Sequence, residues 1–230
     1  MKRVDVLVEG QTEEGFVNRV LSPHFHPQGL LVSPISLTTS TDRQAGRTYR
    51  GGVTTYEKVR ADLTKLLHRC RPGHVWVSTM LDLYALPSDF PGQATLPAAD
   101  AHRRVRHLET ALTTDVGSPF GFIPYLQLHE FEALLFSDIG QMKGAFVEEE
   151  DAPGIKRLVE LAATFDSPEE INDGSDTAPS KRIIGALPAY SKRKTTTGVL
   201  VAEKIGLPTM RRKCPHFNEW ITRLEALAAS

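Results

Sequence analysis

The chain has 230 residues, 40% of them apolar and 24% charged, with a formal charge of −1. These are the values of an ordinary globular protein long enough for a sizeable core, and they exclude the overall basic footprint of a dedicated nucleic-acid-binding domain. Two widely separated cysteines, Cys70 and Cys214, supply neither a zinc ribbon nor a disulfide framework.

The opening MKRVDVLVEG lacks the apolar core of a signal peptide. No stretch approaches the roughly 18 apolar residues of a membrane span, so a cytoplasmic setting without a membrane partner is expected. Val4 to Val8 reads as a short buried strand. A helix is expected from about Glu13 to Val20, with Thr12 as its N-cap and Phe16, Val17, Val20 and Leu21 on its inner face. LLVSPISLTTS (30–40) is a second strand candidate weakened by Pro34, and TDRQAGRTYRGG (41–52) reads as an exposed loop. Tyr56, Val59, Leu63, Leu66 and Leu67 follow helical spacing, and Val75 to Leu81 is strongly strand-like.

A Pro-rich loop from Pro87 to Pro97 leads to a helix with Ala101, Val105, Leu108 and Leu112 inside. FGFIPYLQL (120–128) is a further strand, and EFEALLF (130–136) begins a helix. The order β-α-β-α-β-α-β predicts an α/β fold with crossover helices. After Ser137 strand signals fade, and helical patterns follow at 155–165, 200–205 and 216–227, joined through the acidic SPEEINDGSDTAPS (167–180). The expected division is an α/β metal-binding domain over 1–140 and a helical C-terminal region over 141–230 packed on it. Charge divides as well. Acids dominate 148–176, whereas 181–213 holds nine Lys or Arg against one acid, Glu203, a region able to meet a polyanion.

Ligands of α/β sheets bind outside the carboxyl ends of the strands. Glu9 stands at such an end, with Gly10 allowing a tight turn and Glu13 one helical turn later. Two carboxylates aimed at one small volume repel unless a proton or a cation neutralises them, and Mg²⁺ takes oxygen ligands. Glu13 and Glu14 also suit a helix N-terminus without any further role. Asp82 ends the third strand as Glu9 ends the first. His129, Glu130 and Glu132 follow another strand candidate. On a continuing strand the two glutamates would share a face, and on a helix they would diverge. His24 and His26, HRRVRH (102–107) and CPHF (214–217) read as structural or solvated groups.

VEGQTEE, MLDLY and LHEFEALLF, in that order, resemble the acidic motifs of Toprim domains, which occur in topoisomerases, bacterial primases and the overcoming-lysogenization-defect nucleases. With INDGSDTAPSKRI and CPHFNEW, nearly the whole chain is similar to bacterial Toprim-like proteins of the domain-of-unknown-function family 4276. The resemblance implies a Toprim-like, mostly parallel central sheet flanked by helices, binding Mg²⁺ or Mn²⁺ at the strand ends. Glu9 matches the first motif, Glu13 the second acid of the nuclease version, and Asp82 the first acid of an Asp-x-Asp pair. Tyr84 stands where the second acid of that pair is expected, with Asp89 as a substitute from the following loop.

The expected metal set is therefore Glu9, Glu13, Asp82, Glu130 and Glu132. Glu9, Asp82 and Lys181 are the expected catalytic groups. Arg182, Lys192, Arg193 and Lys194 are the expected contacts to nucleic acid, DNA ahead of RNA. The resemblance implies a nuclease of a phage-defence system, or a weak or inactive binding subunit of one. The sequence has no P-loop signature, so an ATP-driven step would need an ABC- or AAA-type partner. A topoisomerase would need a further domain carrying a nucleophilic tyrosine, and a primase a zinc module.

Overall fold

Side chains of a strand alternate between its two faces, and this sets the layers of the molecule. Val4, Val6 and Val8 of the first strand enter one apolar core, and Leu7 enters another on the opposite face. The computed structural model describes residues 1–42, 47–50, 55–171 and 177–229. The chain runs through β1 (Lys2–Val8), α1 (Gln11–Phe16), a π-helical turn over Val17–Leu21, α2 (Ser22–Phe25) and β2 (Leu30–Ser36). It continues with β3 (Thr38–Asp42), β4 (Arg47–Arg50), α3 (Tyr56–Leu67), β5 (Val75–Asp82), α4 (Ala101–Asp115), β6 (Phe122–Ile123), β7 (Leu126–Gln127) and α5 (Glu132–Leu135). The remainder is helical: α6 (Ala152–Ala162), α7 (Pro179–Ala186), α8 (Lys194–Ile205), α9 (Leu207–Lys213) and α10 (Pro215–Ala229).

The central sheet is parallel throughout, in the order β2-β1-β5-β6, with β7 also beside β5. The fold is α/β, a parallel central sheet flanked by helices with a helical C-terminal part. The chain leaves β1 toward β2 on one side and returns through α3 to β5 on the other, so the strand order reverses between β1 and β5. Such a switch point opens a crevice at the carboxyl ends of the two strands. Val8 pairs with Met80, and Asp82 pairs with Gln127. Glu9, Asp82 and the segment after Gln127 therefore leave the sheet at the same edge.

The two faces are covered unequally. The larger core joins β1, α1, the π-helical turn and α2 to residues of α5 through α10, from Val4 to Leu224. Trp220 of α10 stacks on Tyr125 at 4.2 Å and 5°, and its indole N–H donates to Ser78 of β5. The C-terminal helices thus share their core with the sheet. α3 and α4 cover the opposite face through Val59, Leu63, Leu108 and Leu112. Among the described residues no helix is long and apolar enough to cross a membrane.

Several local expectations change. Gly10, not Thr12, precedes the first helical residue, and its N–H donates to Glu13 Oε2 at 3.0 Å. The helix expected at 13–20 begins at Gln11 and runs on through the π-helical turn. Within the loop expected at 41–52, residues up to 42 and from 47 to 50 pair as the antiparallel ribbon β3-β4. Residues 43–46 and 51–54 lie outside the described residues, as do 172–176 of the acidic connection. The strand expected at 120–128 is two short strands separated at Pro124, which has no N–H to give a ladder.

Candidate metal centre

The carboxylates at the sheet edge arrive from four directions. Glu9 follows β1, and Glu13 lies in the first turn of α1. Asp82 closes β5, and Glu130 and Glu132 flank the start of α5 after β7. Neither geometry expected of the last pair occurs. A turn intervenes after Gln127, with His129 in the left-handed region at φ 64°, and it directs both glutamates to the same neighbourhood. Lys194, the first residue of α8, lies between them, its Nζ 3.2 Å from Glu132 Oε1 and 3.7 Å from Glu130 Oε2.

Helix packing sets that lysine in place. α8 crosses α1 where Gly15 meets Val199, and a Cβ at Gly15 would stand 2.9 Å from a Val199 methyl. Gly198, the residue before Val199 in α8, leaves room for the Tyr190 hydroxyl, 2.9 Å from where its Cβ would be. That hydroxyl donates to Glu132 Oε1 at 3.0 Å. Glu130 is held by Ser180 at the start of α7, whose backbone N–H and hydroxyl donate to its two oxygens.

Burial and mutual repulsion push these groups toward their neutral forms. Burial first, then the Glu13 charge, raises Glu9 to about 7, partly eased by the Asp82 backbone and Lys194. Burial first also raises Glu132 to about 7 against the pull of Lys194. Asp82 lies well above the usual carboxylate range through burial and then the charges of Glu13, Glu9, Glu132 and Glu130. Burial raises Glu13 as well, opposed by backbone N–H groups including that of Gly10. For Lys194 burial disfavours the charge, but Glu132 and Glu130 outweigh it and the ammonium is stabilised.

Three shielded oxygens in this cluster, Glu9 Oε2, Asp82 Oδ1 and Glu132 Oε2, meet no hydrogen-bond donor. A buried acceptor left without a partner costs about 1–3 kcal/mol. One orphan oxygen from each of three segments, on hard carboxylate donors, is the donor chemistry that a small divalent cation such as Mg²⁺ takes. The set is not drawn into a finished cage. Among the described residues no three His, Cys, Asp or Glu side chains stand at metal-holding spacing.

The expected basic residues separate by role. Lys181 is exposed on α7, and no hydrogen bond or ion pair among the described residues ties it to the carboxylates, so the cation in the cluster is Lys194 instead. Arg182 is committed internally, donating to Thr177 O at 2.7 Å and Ile171 O at 3.2 Å. Lys192 and Arg193 are exposed, with the Arg193 guanidinium 4.9 Å over the Phe146 ring. Asp89 is bound elsewhere, accepting the Tyr56 N–H at the start of α3. Tyr190 and Ser180 were not among the expected site residues. The only sequence signal for Tyr190 is its place shortly before Lys194 and Gly198. CPHF is structural: Cys214 is buried, and His216 Nε2 stands 3.0 Å from Glu109 Oε1.

No curated protein and no solved structure matches the chain. The model of one family, described as a domain of unknown function (DUF4276), matches residues 8–225, and the chain belongs to that family.

Proposed function

We propose that the chain is a divalent-metal-dependent nuclease built on a Toprim-like core. The supporting observation is the group of carboxylates at the β1/β5 switch point, three of them with orphan oxygens, beside a lysine held in place by packing. In this reading Glu9, Asp82 and Glu132 hold the ion, with Glu13 and Glu130 completing its surroundings. A bound Mg²⁺ or Mn²⁺ supplies positive charge to the oxygens of a phosphodiester undergoing displacement.

The chain's own residues supply the rest. Lys194 offers an ammonium to a phosphate oxygen or to the leaving oxygen, while Tyr190 and Ser180 keep Glu132 and Glu130 oriented. The carboxylate of Glu9 accepts the proton of the attacking water. Lys192 and Arg193, exposed just before α8, attract and position the strand, DNA ahead of RNA. A role in phage defence would draw its ATP-driven step from an ABC- or AAA-type partner.

A second reading is a metal- or strand-binding subunit without cleavage. Tyr84 in place of an acid favours it, as does an ammonium already shared between two of the carboxylates. Titration calorimetry with Mn²⁺ and cleavage of labelled single- and double-stranded DNA and RNA separate the two. The nuclease reading expects Mn²⁺ binding and cleavage, both lost in Glu9→Gln and Asp82→Asn and cleavage lost in chelator. Binding without cleavage of any substrate favours the second reading. No Mn²⁺ binding removes the metal-centre assignment.

A further inference from the structure

Tyr84 contributes to something other than a ligand set. It lines a cavity of about 270 Å³ between the end of β5, the loop before α4 and the first turns of α4. Leu83, Leu96 and Leu108 give the cavity an apolar lining. Tyr84, 41% exposed, forms a wall with His129, the two rings 5.7 Å apart and tilted by 39°. The rim carries Gln93, Asp100 and Arg104, an amide, a carboxylate and a guanidinium. Arg104 is exposed, while Asp100 accepts the Arg103 N–H at 2.9 Å and pairs with the Arg103 guanidinium.

This cavity adjoins the carboxylates through the chain itself. Tyr84 is two residues past Asp82, and His129 immediately precedes Glu130, so the cavity wall lies within about 7 Å of backbone from two of the acids. The wall is also pinned. The Tyr84 N–H donates to His129 O at 3.0 Å, and the His129 ring nitrogen meets Glu169 O at 2.8 Å. His129 keeps φ 64°, a conformation that costs free energy for a non-glycine residue. A strained residue held at both its carbonyl and its ring gives a preformed surface, which lowers the ordering cost of a ligand.

We infer that this cavity receives one unstacked nucleobase of a strand whose phosphate lies at the neighbouring carboxylates; the inference rests on the nuclease reading above. The volume falls just below the roughly 300–1,000 Å³ of drug-sized pockets, which suits one base better than a larger ligand. The apolar lining and the Tyr84 ring accept the flat face of a base. The Arg104 guanidinium and the Gln93 amide face the donors and acceptors of its edge, whereas the Asp100 carboxylate is committed to capping α4 through the Arg103 N–H. Extruding a base next to the cut phosphate would favour single-stranded or locally opened substrates, where unstacking costs least.

Full-length chain is titrated, in Ca²⁺ to suppress cleavage, with short single-stranded oligonucleotides carrying 2-aminopurine or an abasic site at each position in turn. Base removal is expected to weaken binding at one position, where 2-aminopurine fluorescence also changes on binding. Tyr84→Ala and Arg104→Ala are each expected to weaken binding by about 5- to 100-fold and erase that position dependence. Thermal melting of each variant checks that it folds as the parent chain does. The inference is overturned if they bind as tightly as the parent with the same position dependence. If the parent binds and cleaves but tolerates base removal everywhere, only the base cavity falls. If it neither binds nor cleaves any oligonucleotide, the nuclease reading falls with it.

Discussion

Lys194 Nζ stands 3.2 Å from one oxygen of Glu132 while the other oxygen of the same carboxylate has no donor. One oxygen of that carboxylate is therefore partnered by Lys194 and Tyr190, and the other is not. The ammonium keeps several buried acids tolerable without closing the site.

Removing the ammonium should expose that balance. Lys194→Met leaves Glu132 and Glu130 without their cation, and Glu132 will resist ionisation more strongly. The variant is expected to melt several degrees lower than the parent at about pH 8, and to differ less at about pH 5, where Glu132 is protonated. Differential scanning fluorimetry at the two pH values checks this. Equal losses at both would show that Lys194 acts through packing alone.

The acids predict the direction of the pH dependence. Glu9 and Glu132 are raised from 4.5 to about 7 in the folded chain. Acids raised by folding contribute stability that is complete below their unfolded values and is lost as pH rises through the folded ones. In chelator, thermal stability should therefore fall between about pH 4.5 and 7, and Mn²⁺ should restore it chiefly above about pH 7. Melting curves across that range with and without Mn²⁺ decide the matter. A flat profile in chelator would contradict the grouping of these carboxylates.

The start of α10 depends on one buried glutamate. Glu169 accepts the backbone N–H groups of His216 and Phe217, each at 2.9 Å. Glu169→Ala leaves both N–H groups buried without acceptors and should destabilise the chain by roughly 2–4 kcal/mol in urea unfolding. An unchanged midpoint and slope would mean that those groups find other acceptors.

Close approach of α1 and α8 places the lysine. Gly15→Val adds atoms where a single Cβ already falls 2.9 Å from Val199, so α8 must shift. The expected cost is about 1–3 kcal/mol of stability, with a fall in any metal-dependent cleavage because Lys194 moves with its helix. Val199→Ala in the same chain should recover part of both. Urea unfolding and cleavage rates of the single and double variants test the coupling.

Strand periodicity and strand ends were readable from local pattern. Val4 to Val8 and Val75 to Leu81 carry β-branched, apolar runs, and each gives way to an acid, so Glu9 and Asp82 could be singled out before any contact was known. The parallel sheet followed from the alternation of strands and helices. A carboxylate in a loop such as Asp89 reads alike whether it faces a cation or caps a helix, and only the position of the Tyr56 N–H decides. Residue preference favours Thr12 as the cap, yet Gly10 precedes the helix and its N–H bonds to Glu13. Pro124 marked a break in a strand, but not that two short strands would continue on either side of it.

By itself the sequence determined the α/β order of elements, the edge of the sheet where the acids gather and the residues that end the strands, because those depend on period-two and helical patterns within short windows. Tertiary structure alone decided which lysine enters the cluster, how Glu130 and Glu132 both turn toward it, and what holds each carboxylate. Those outcomes depend on where α7 and α8 come to rest against α1 and α5, and close contacts such as Gly15 with Val199 join residues far apart in the chain. Local pattern carries no record of such contacts, since the same lysines would look alike on any other packing of the helices.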